Sequence, residues 1–183
     1  MIDHMTGRLV TVPAAERLDL VATPVAAALT RLPRAMIAEI DPDLADTAAF
    51  VDAYDVPLDI SANCVVVTGR RGDVQRHAAC VVLATTRADV NGLVRKRLDT
   101  RKASFASMDF AVAASGMEYG GITPIGLPLE WPLLVDAAVV ATPVVVVGSG
   151  VRRSKIVLPG ADLMLLPGAE VVEALGSPAP IRR

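Results

Sequence analysis

The sequence has few of the residues that most often carry enzyme chemistry. Its 183 residues include two cysteines, Cys64 and Cys80, and two histidines, His4 and His77. Two cysteines are too few for a disulfide scaffold or a zinc cluster, and both lie in valine-rich runs, where a free thiol acts as a small apolar side chain. His77 and Cys80 are three positions apart, which places them on opposite faces of a strand. A histidine-based catalytic dyad is therefore not expected.

Aromatic residues are also scarce, at 3% of a chain that is 52% apolar and 21% charged. The core must therefore consist of Val, Leu, Ile and Ala, and the length suits one domain. The longest apolar run, residues 133–147, is interrupted by Asp136 and Pro143 and is shorter than a membrane span. The N-terminus has no basic stretch leading into an apolar one, as a secretion signal would. We expect a soluble, cytoplasmic protein with no membrane partner.

Lysine is rare, with three Lys against fifteen Arg, and the net charge is −2. The charge is unevenly distributed: residues 1–61 have a net charge of −6, residues 62–102 of +6 and residues 103–183 of −2. The basic middle block has two interpretations that the sequence leaves open. It is either an ordinary solvated surface or a surface that contacts nucleic-acid phosphates.

Hydrophobic periodicity and capping residues predict short helices that alternate with strands. The clearest pair of elements is a hairpin, in which β-branched runs at residues 64–68 and 74–85 flank a glycine-bearing loop, residues 69–73. Helices are predicted at 23–32, 46–54, 89–98, 109–115 and from 159, and further strands at 35–40, 104–108, 133–135, 144–147 and 155–158. Because the first strong pair is a hairpin, the pattern favours a mixed sheet over a doubly wound parallel one.

Residues 116–128 have the least regular composition, with four glycines and two prolines in thirteen residues. Such a segment can expose main-chain N–H and C=O groups to a ligand, as in an oxyanion hole, or it can be a crossover between sheet edges. The sequence has no phosphate-binding loop, no nucleophile elbow and no metal-ligand spacing. We therefore expect no metal and no cofactor.

The run Gly-Met-Glu-Tyr-Gly-Gly-Ile-Thr-Pro-Ile-Gly at residues 116–126 resembles the signature loop of the YbaK/ProX family of aminoacyl-tRNA deacylases. Further segments resemble the family in the same order: residues 62–67, 88–93, 133–136, 148–152 and 161–163. The resemblance covers residues 35–175, with residues 1–34 as a helical extension packed on the domain and residues 176–183 as a tail. It implies the family's fold, an α/β protein of the α+β type. This is a single domain with a mixed, mostly antiparallel, curved sheet flanked by helices.

The resemblance also implies roles for individual residues. In the family the glycine loop holds the ester carbonyl of a charged tRNA, and a lysine on the first hairpin strand orients the substrate. Carried over, this implies Asn63 and Gly120 as catalytic residues. Substrate binding is implied for Gly121, Ile122, Thr123, Pro124, Gly126 and Asp136, although Asp136 is equally suited to capping the following helix. Contacts to tRNA are implied for Arg70, Arg71, Arg95, Arg97, Arg101, Lys102 and Arg152.

The sequence departs from the family at the lysine position, which is Asn63, and Cys64 stands where Ser or Thr is usual. Lys96, Lys102 and Lys155 lie elsewhere in the sequence, and none obviously replaces the missing lysine. Three hypotheses follow. The first is an aminoacyl-tRNA deacylase, whose substrate is an aminoacyl-tRNA, with tRNA(Pro) and prolyl-tRNA synthetase as the tRNA and protein partner that the family suggests. The second is a module that binds such a ligand without turnover, and the third is a hydrolase of another small ester.

Overall fold

The computed structural model describes residues 5–178; His4 and residues 179–183 of the predicted tail lie outside this range. The strands within it are β1 (Val12–Pro13), β2 (Met36–Glu39), β3 (Ala62–Arg71), β4 (Val74–Leu83), β5 (Thr86–Ala88), β6 (Lys102–Phe105), β7 (Leu133–Asp136), β8 (Val145–Gly148), β9 (Ser154–Leu158), β10 (Ala169–Val172) and β11 (Gly176–Pro178). The α-helices are α1 (Thr23–Ala28), α2 (Thr47–Tyr54), α3 (Arg95–Arg97), α4 (Met108–Ser115) and α5 (Ala137–Ala141).

The strands form two large sheets and one small one. The four-stranded sheet has the order β1-β2-β9-β8, and all its neighbours are antiparallel. The five-stranded sheet has the order β10-β7-β4-β3-β6, in which β7 runs parallel to β4 and β10 and the other pairs are antiparallel. The antiparallel pair β5 and β11 is separate. The prediction of a mixed α+β fold is confirmed, but the strands are divided between sheets instead of forming a single curved one.

In the hairpin, β3 is longer than predicted, β4 ends two residues earlier than predicted, and the turn is shorter. The register pairs Ala62 with Leu83 and continues to Arg71 opposite Val74, so only residues 72 and 73 form the turn. Gly72 has φ +60°, the backbone conformation that two-residue hairpin turns require and that glycine adopts without steric cost.

Residues 5–34, most of the predicted extension, contribute to the main core. Val25 of α1, Leu29 and Leu32 are buried together with Ile37 of β2 and Ile156 of β9. Pro24 lies in the first turn of α1, where its missing N–H is not needed.

Several element boundaries differ from the prediction for local reasons. The Asp89 carboxylate caps a π-helical turn, Val90–Val94, by accepting from the N–H groups of residues 92 and 93, so α3 is short. Ser107, and not Asp109, caps α4 through its hydroxyl. Residues 176–178 of the predicted tail pair with β5 as a strand. No helix within residues 5–178 combines the length and hydropathy needed to cross a membrane.

The two large sheets meet at the start of β3. Ser61 forms a parallel bridge with Val146 of β8, and the Val146 N–H donates to the carbonyl of Ile60 at 2.8 Å. The first residues of β3 therefore face the strands of the other sheet, and this junction forms one wall of a cavity.

Candidate functional site

A cavity of about 570 Å³ lies between the two large sheets. Its volume is in the range of sites for small molecules, roughly 300–1,000 Å³. Apolar side chains form most of the wall, among them Phe50, Val66, Ala111, Ile122 and Val146. Polar side chains are fewer: Asp46, Thr47, Ser61, Asn63, Cys64, Tyr119 and Lys155. This is the composition of a site that excludes water and orients a ligand by a few polar contacts.

Asn63, predicted as a catalytic residue, lines the cavity from the start of β3. Its Oδ1 accepts a hydrogen bond of 3.1 Å from the hydroxyl of Thr47, the first residue of α2. This contact occupies the carbonyl oxygen of the amide and leaves its NH₂ group as a donor. Burial raises the pKa of the neighbouring Cys64 thiol well above its usual range, so Cys64 is not a thiolate nucleophile.

The segment 45–47 at the start of α2 holds several of the site's polar groups. The carbonyl of Ala45 accepts from Lys155 Nζ at 2.8 Å. The Asp46 carboxylate pairs with Arg152 Nη1 at 3.2 Å, and Thr47 binds Asn63 as described. Any movement of this short segment therefore displaces an ammonium, a guanidinium and an amide together.

Lys155 reaches the cavity from β9, in the sheet opposite Asn63. Its Nζ lies 5.0 Å from the centroid of the Phe50 ring, a cation–π contact. Burial lowers the pKa of Lys155 to about 8; the charge of Arg152 adds to this shift, and that of Asp46 opposes it. From the sequence, none of the three lysines obviously replaces the missing one, but the structure places Lys155 in the cavity wall. A signal was present in the sequence, since Lys155 is the one charged residue of the predicted strand 155–158 in a lysine-poor chain.

Gly120, the second predicted catalytic residue, also lines the cavity. It has φ +78°, and a Cβ placed on it would lie 2.3 Å from Arg152 Nη1. The backbone N–H groups of Gly120 and Ile122 donate to no other group among residues 5–178. Two residues that line the cavity therefore have backbone N–H groups that are free to donate a hydrogen bond.

The neighbouring glycines of the loop allow close packing of the backbone. Gly121 donates to the carbonyl of Glu118 at 3.0 Å and accepts from the N–H of Gly150 at 2.8 Å, and a Cβ on it would lie 2.8 Å from the backbone of Val151. A Cβ on Gly126 would lie 2.3 Å from the carbonyl oxygen of Pro24.

Of the six residues predicted for substrate binding, only one lies in the cavity lining. Ile122 lines the cavity, whereas Gly121, Thr123, Pro124 and Gly126 lie outside the cavity lining. The loop is both a ligand-facing segment and a crossover packed against the rest of the protein.

Asp136 lies outside the cavity lining and is 5% exposed. Its Oδ1 accepts from the N–H of Ala138 at 2.8 Å, and its Oδ2 accepts from the N–H of Gly176. The carboxylate thus caps α5 and holds β11, which is the helix-capping alternative considered above.

Of the basic side chains predicted to contact tRNA, Arg152 lies at the site and three others are engaged within the protein. Arg71 pairs with Asp99 at 2.5 Å, Arg97 pairs with Glu170, and Arg95 Nε donates to the carbonyl of Asn91 at 2.7 Å. The two ion pairs reduce the positive charge that the block presents to a ligand, and the contact of Arg95 with a carbonyl leaves its charge in place.

Arg70, Arg101 and Lys102 form an exposed group that we call the basic corner. None of them has a carboxylate within 4 Å among residues 5–178. Arg70 is opposite Lys102 in the pairing of β3 with β6, and the Arg101 N–H donates to the carbonyl of Arg70 at 2.9 Å. Lys102 is three residues from Phe105 in β6, which corresponds to roughly 10 Å of extended chain.

Exposed apolar side chains surround the mouth of the cavity. Phe105, Met108 and Tyr119 line it and are 59%, 51% and 57% exposed, respectively. The chain has six aromatic residues, and the two that are more than half exposed are both at this mouth. Exposed aromatic rings at a cavity entrance are typical of surfaces that bind a flat, apolar group.

No histidine of the described chain lines the cavity. The described histidine is His77, and its ring stacks on Phe110 with centroids 4.3 Å apart. Within residues 5–178, no cluster of three or more His, Cys, Asp or Glu side chains is arranged to hold a metal ion. The polar groups that line the cavity are amides, hydroxyls, the Cys64 thiol, the Asp46 carboxylate and the Lys155 ammonium.

Solved structures share this fold at low sequence identity. One is described as a candidate trans-editing enzyme for prolyl tRNA synthetase; it is 20% identical, with a TM-score of 0.69 over 88% of this chain and 96% of that one. Another, the hypothetical protein APE2540, is 19% identical, with a TM-score of 0.73 over 84% of this chain and 99% of that one. No curated protein matches the sequence.

The family comparison agrees with the geometry of the site. The sequence profile of the aminoacyl-tRNA editing domain matches residues 41–166, which contain every side chain named in the cavity wall. This match covers more than two thirds of the chain and includes both the β3 strand and the glycine loop. The chain therefore belongs to the aminoacyl-tRNA editing domain family.

Proposed function

We propose that this protein is an aminoacyl-tRNA deacylase that hydrolyses the ester between an amino acid and the 3′-terminal ribose of a mischarged tRNA. The observation that carries the proposal is the cavity, in which Asn63, Lys155 and the free amides of Gly120 and Ile122 line one space. Its volume suits an aminoacyl group with its ribose and excludes a folded tRNA.

Ester hydrolysis needs donors that face the carbonyl oxygen, because negative charge develops on this atom when water attacks the carbon. The N–H groups of Gly120 and Ile122 are candidates for this role, since they are unpaired at the cavity wall. The NH₂ group of Asn63 is a further donor, held in place by Thr47. The apolar side chains around these donors lower the local dielectric and strengthen such contacts.

The mouth of the cavity and the basic corner fit the nucleic-acid part of the substrate. The 3′ end of a tRNA is single-stranded, and exposed aromatic rings bind such ends by stacking on the bases. Phe105 and Tyr119 supply two such rings. The basic corner, which begins about 10 Å away along β6, supplies charge for phosphates.

The similarity to a candidate prolyl tRNA synthetase trans-editing enzyme supports tRNA(Pro) as the first substrate to test and prolyl-tRNA synthetase as the first partner. We expect purified protein to hydrolyse at least one of Ala-, Cys- and Ser-tRNA(Pro), and to leave correctly charged Pro-tRNA(Pro) intact. The rate is measured by the loss of radiolabelled ester above the spontaneous rate. Absence of turnover on this panel and on mischarged tRNAs of other identities would contradict the proposal.

A binding module is the second candidate function, and the observation that favours it is Asn63. The resemblance to the YbaK/ProX family implies a lysine at this position, and an amide is the weaker donor. In this case the protein retains mischarged tRNA in a filter-binding assay and protects its ester from spontaneous hydrolysis. Protection, as opposed to acceleration, distinguishes the two functions in one experiment.

The aromatic mouth gives a further prediction. Replacing Phe105 and Tyr119 together by alanine is expected to weaken binding of a tRNA or a short oligonucleotide ending in CCA by about 30-fold or more, because stacking of one base on each aromatic ring contributes roughly 1–3 kcal/mol. Fluorescence anisotropy at fixed salt measures the affinity. Leu129→Ala is the matched control, since Leu129 is 77% exposed but lies outside the cavity lining. Equal affinities of the double variant and the wild type would show that the mouth does not bind bases.

A further inference from the structure

The position of Lys155 is not explained by the stability of the fold. Lys155 lies in β9, opposite Ala38 of β2 and Gly148 of β8, so it is inside the four-stranded sheet and not at its edge. Both residues that flank it in the strand, Ser154 and Ile156, are fully buried. A long charged side chain in such surroundings loses hydration, which costs free energy unless partners replace the water.

The protein satisfies only part of the hydrogen-bonding capacity of this ammonium. An ammonium has three N–H donors, and among residues 5–178 one acceptor is within reach, the carbonyl of Ala45 at 2.8 Å. No carboxylate of the described chain lies within 4 Å of Nζ, since the nearby Asp46 pairs with Arg152 instead. The remaining donors border a cavity that also contains the unpaired amides of the glycine loop.

We infer that Lys155 is a catalytic residue, whose ammonium donates a hydrogen bond to the carbonyl oxygen of the substrate ester and stabilises the negative charge that forms there. The inference rests on the proposed function. It places the charged donor on the wall of the four-stranded sheet, opposite the position at which the YbaK/ProX resemblance implies it. The amide of Asn63 then orients the ester without having to supply charge.

The reaction is balanced without a further reactant. The oxygen of a water molecule bonds to the carbonyl carbon, and the carbonyl π electrons move to the oxygen that Lys155 contacts. When the carbonyl re-forms, the bond from carbon to the ribose oxygen breaks, and a proton from the water ends on the ribose oxygen. The products are the free amino acid and the free 3′ end of the tRNA, and Lys155 keeps its proton throughout.

This role has a defined pH dependence. The pKa of Lys155 is lowered to about 8, so the ammonium is present below this pH and is lost as the pH rises through it. The charged groups nearest to it are Arg152, which favours loss of the proton, and Asp46, which opposes it. Cys64 and Tyr119 are the other titratable groups of the wall, and burial keeps the Cys64 thiol protonated. We expect the enzymatic rate, after subtraction of spontaneous hydrolysis, to fall above pH about 8.

The test replaces Lys155 by methionine, which has a similar length and no charge. We expect kcat for a mischarged tRNA to fall about 100-fold, the effect typical of removing one oxyanion donor. The affinity for uncharged tRNA, which has no ester carbonyl, should change less than about threefold because phosphate contacts dominate it. Lys96→Met, which removes an exposed lysine of α3 outside the cavity, is the control and should leave kcat unchanged. Lys155→Arg should retain part of the activity and extend it to higher pH, because a guanidinium does not lose its proton in this range.

Two outcomes would overturn the inference. One is a Lys155→Met variant that keeps the kcat of the wild type; the other is a Lys155-dependent rate that rises through pH 8, which would make the amine a general base. If the wild type hydrolyses no mischarged tRNA, the proposed function fails, and Lys155 is then tested by binding of tRNA with an amide-linked amino acid at its 3′ end. Contact with the carbonyl predicts about tenfold weaker binding by Lys155→Met than by Lys96→Met; equal affinities would exclude that contact.

Discussion

Replacing Gly120 by alanine is expected to reduce ester hydrolysis by about 100-fold. The added Cβ would lie 2.3 Å from Arg152 Nη1 and 3.4 Å from Asp46 Oδ1, so the guanidinium must move away, which disturbs its ion pair with Asp46 at the start of α2. Displacement of this segment moves the groups that hold Lys155 and Asn63. The N–H of Gly120 also shifts, because the backbone leaves φ +78°. Single-turnover hydrolysis of a mischarged tRNA measures the loss.

The hairpin turn provides a matched control for this substitution. Gly72 has φ +60°, close to that of Gly120, and a Cβ on Gly72 would have no neighbour within 4 Å. Gly72→Ala therefore carries a similar backbone strain, about 1 kcal/mol, without touching the cavity. We expect Gly120→Ala to lose at least as much stability as Gly72→Ala in thermal unfolding, and only Gly120→Ala to lose activity. If the two alanine variants lose activity equally, the effect is one of strain and not of the site.

Moving the lysine from β9 to position 63 of β3, on the opposite wall of the cavity, is expected to restore the activity that Lys155→Met loses. The double variant Asn63→Lys/Lys155→Met should be about 30-fold faster than Lys155→Met alone, since removing one donor of the oxyanion costs 100-fold or more and the exchange supplies it again. By contrast, Asn63→Lys in the wild type should slow hydrolysis, because two ammonium groups in one cavity disfavour each other's charge. Steady-state kinetics of the four combinations gives the coupling between the positions.

The control for the exchange places a lysine outside the cavity. Gln75→Lys/Lys155→Met adds a cation on the exposed part of β4 and should remain as slow as Lys155→Met. If the Asn63→Lys single variant is faster than the wild type and adding Lys155→Met to it does not slow it, then position 63 alone carries the charge. The binding-module interpretation would then explain the natural asparagine better than relocation of the lysine.

The sequence predicts the secondary structure that depends on local residue pattern, and it also predicts residues of the cavity wall, among them Asn63 and Gly120. The β-branched runs on both sides of Gly72 specify the hairpin, and the family resemblance brings Asn63 and Gly120 to one cavity, where the structure also places them. Lys155 could not be predicted in this way. It is 92 positions after Asn63 and belongs to the other sheet, so only the packing of the two sheets brings the residues together.

The composition of the loop also could not show which glycine lines the cavity and which one packs against the backbone. Gly120 and Gly121 are neighbours with the same residue type, yet one lines the cavity and the other packs against the backbone of Val151. The difference depends on which segment lies opposite, and that is a tertiary property. The sequence also overestimates the free positive charge of the middle block, because it cannot show that Arg71 and Arg97 pair with acidic residues.

A cavity whose walls come from two different sheets can receive the same charged group from either wall. Under such geometry, a lysine can disappear from one strand in the course of evolution while another, far away in the sequence, takes over its contact with the substrate. Loss of a motif residue is then weak evidence for loss of activity among distant relatives. The set of polar groups that line the cavity from both sheets is the better criterion for deciding which of these relatives remain enzymes.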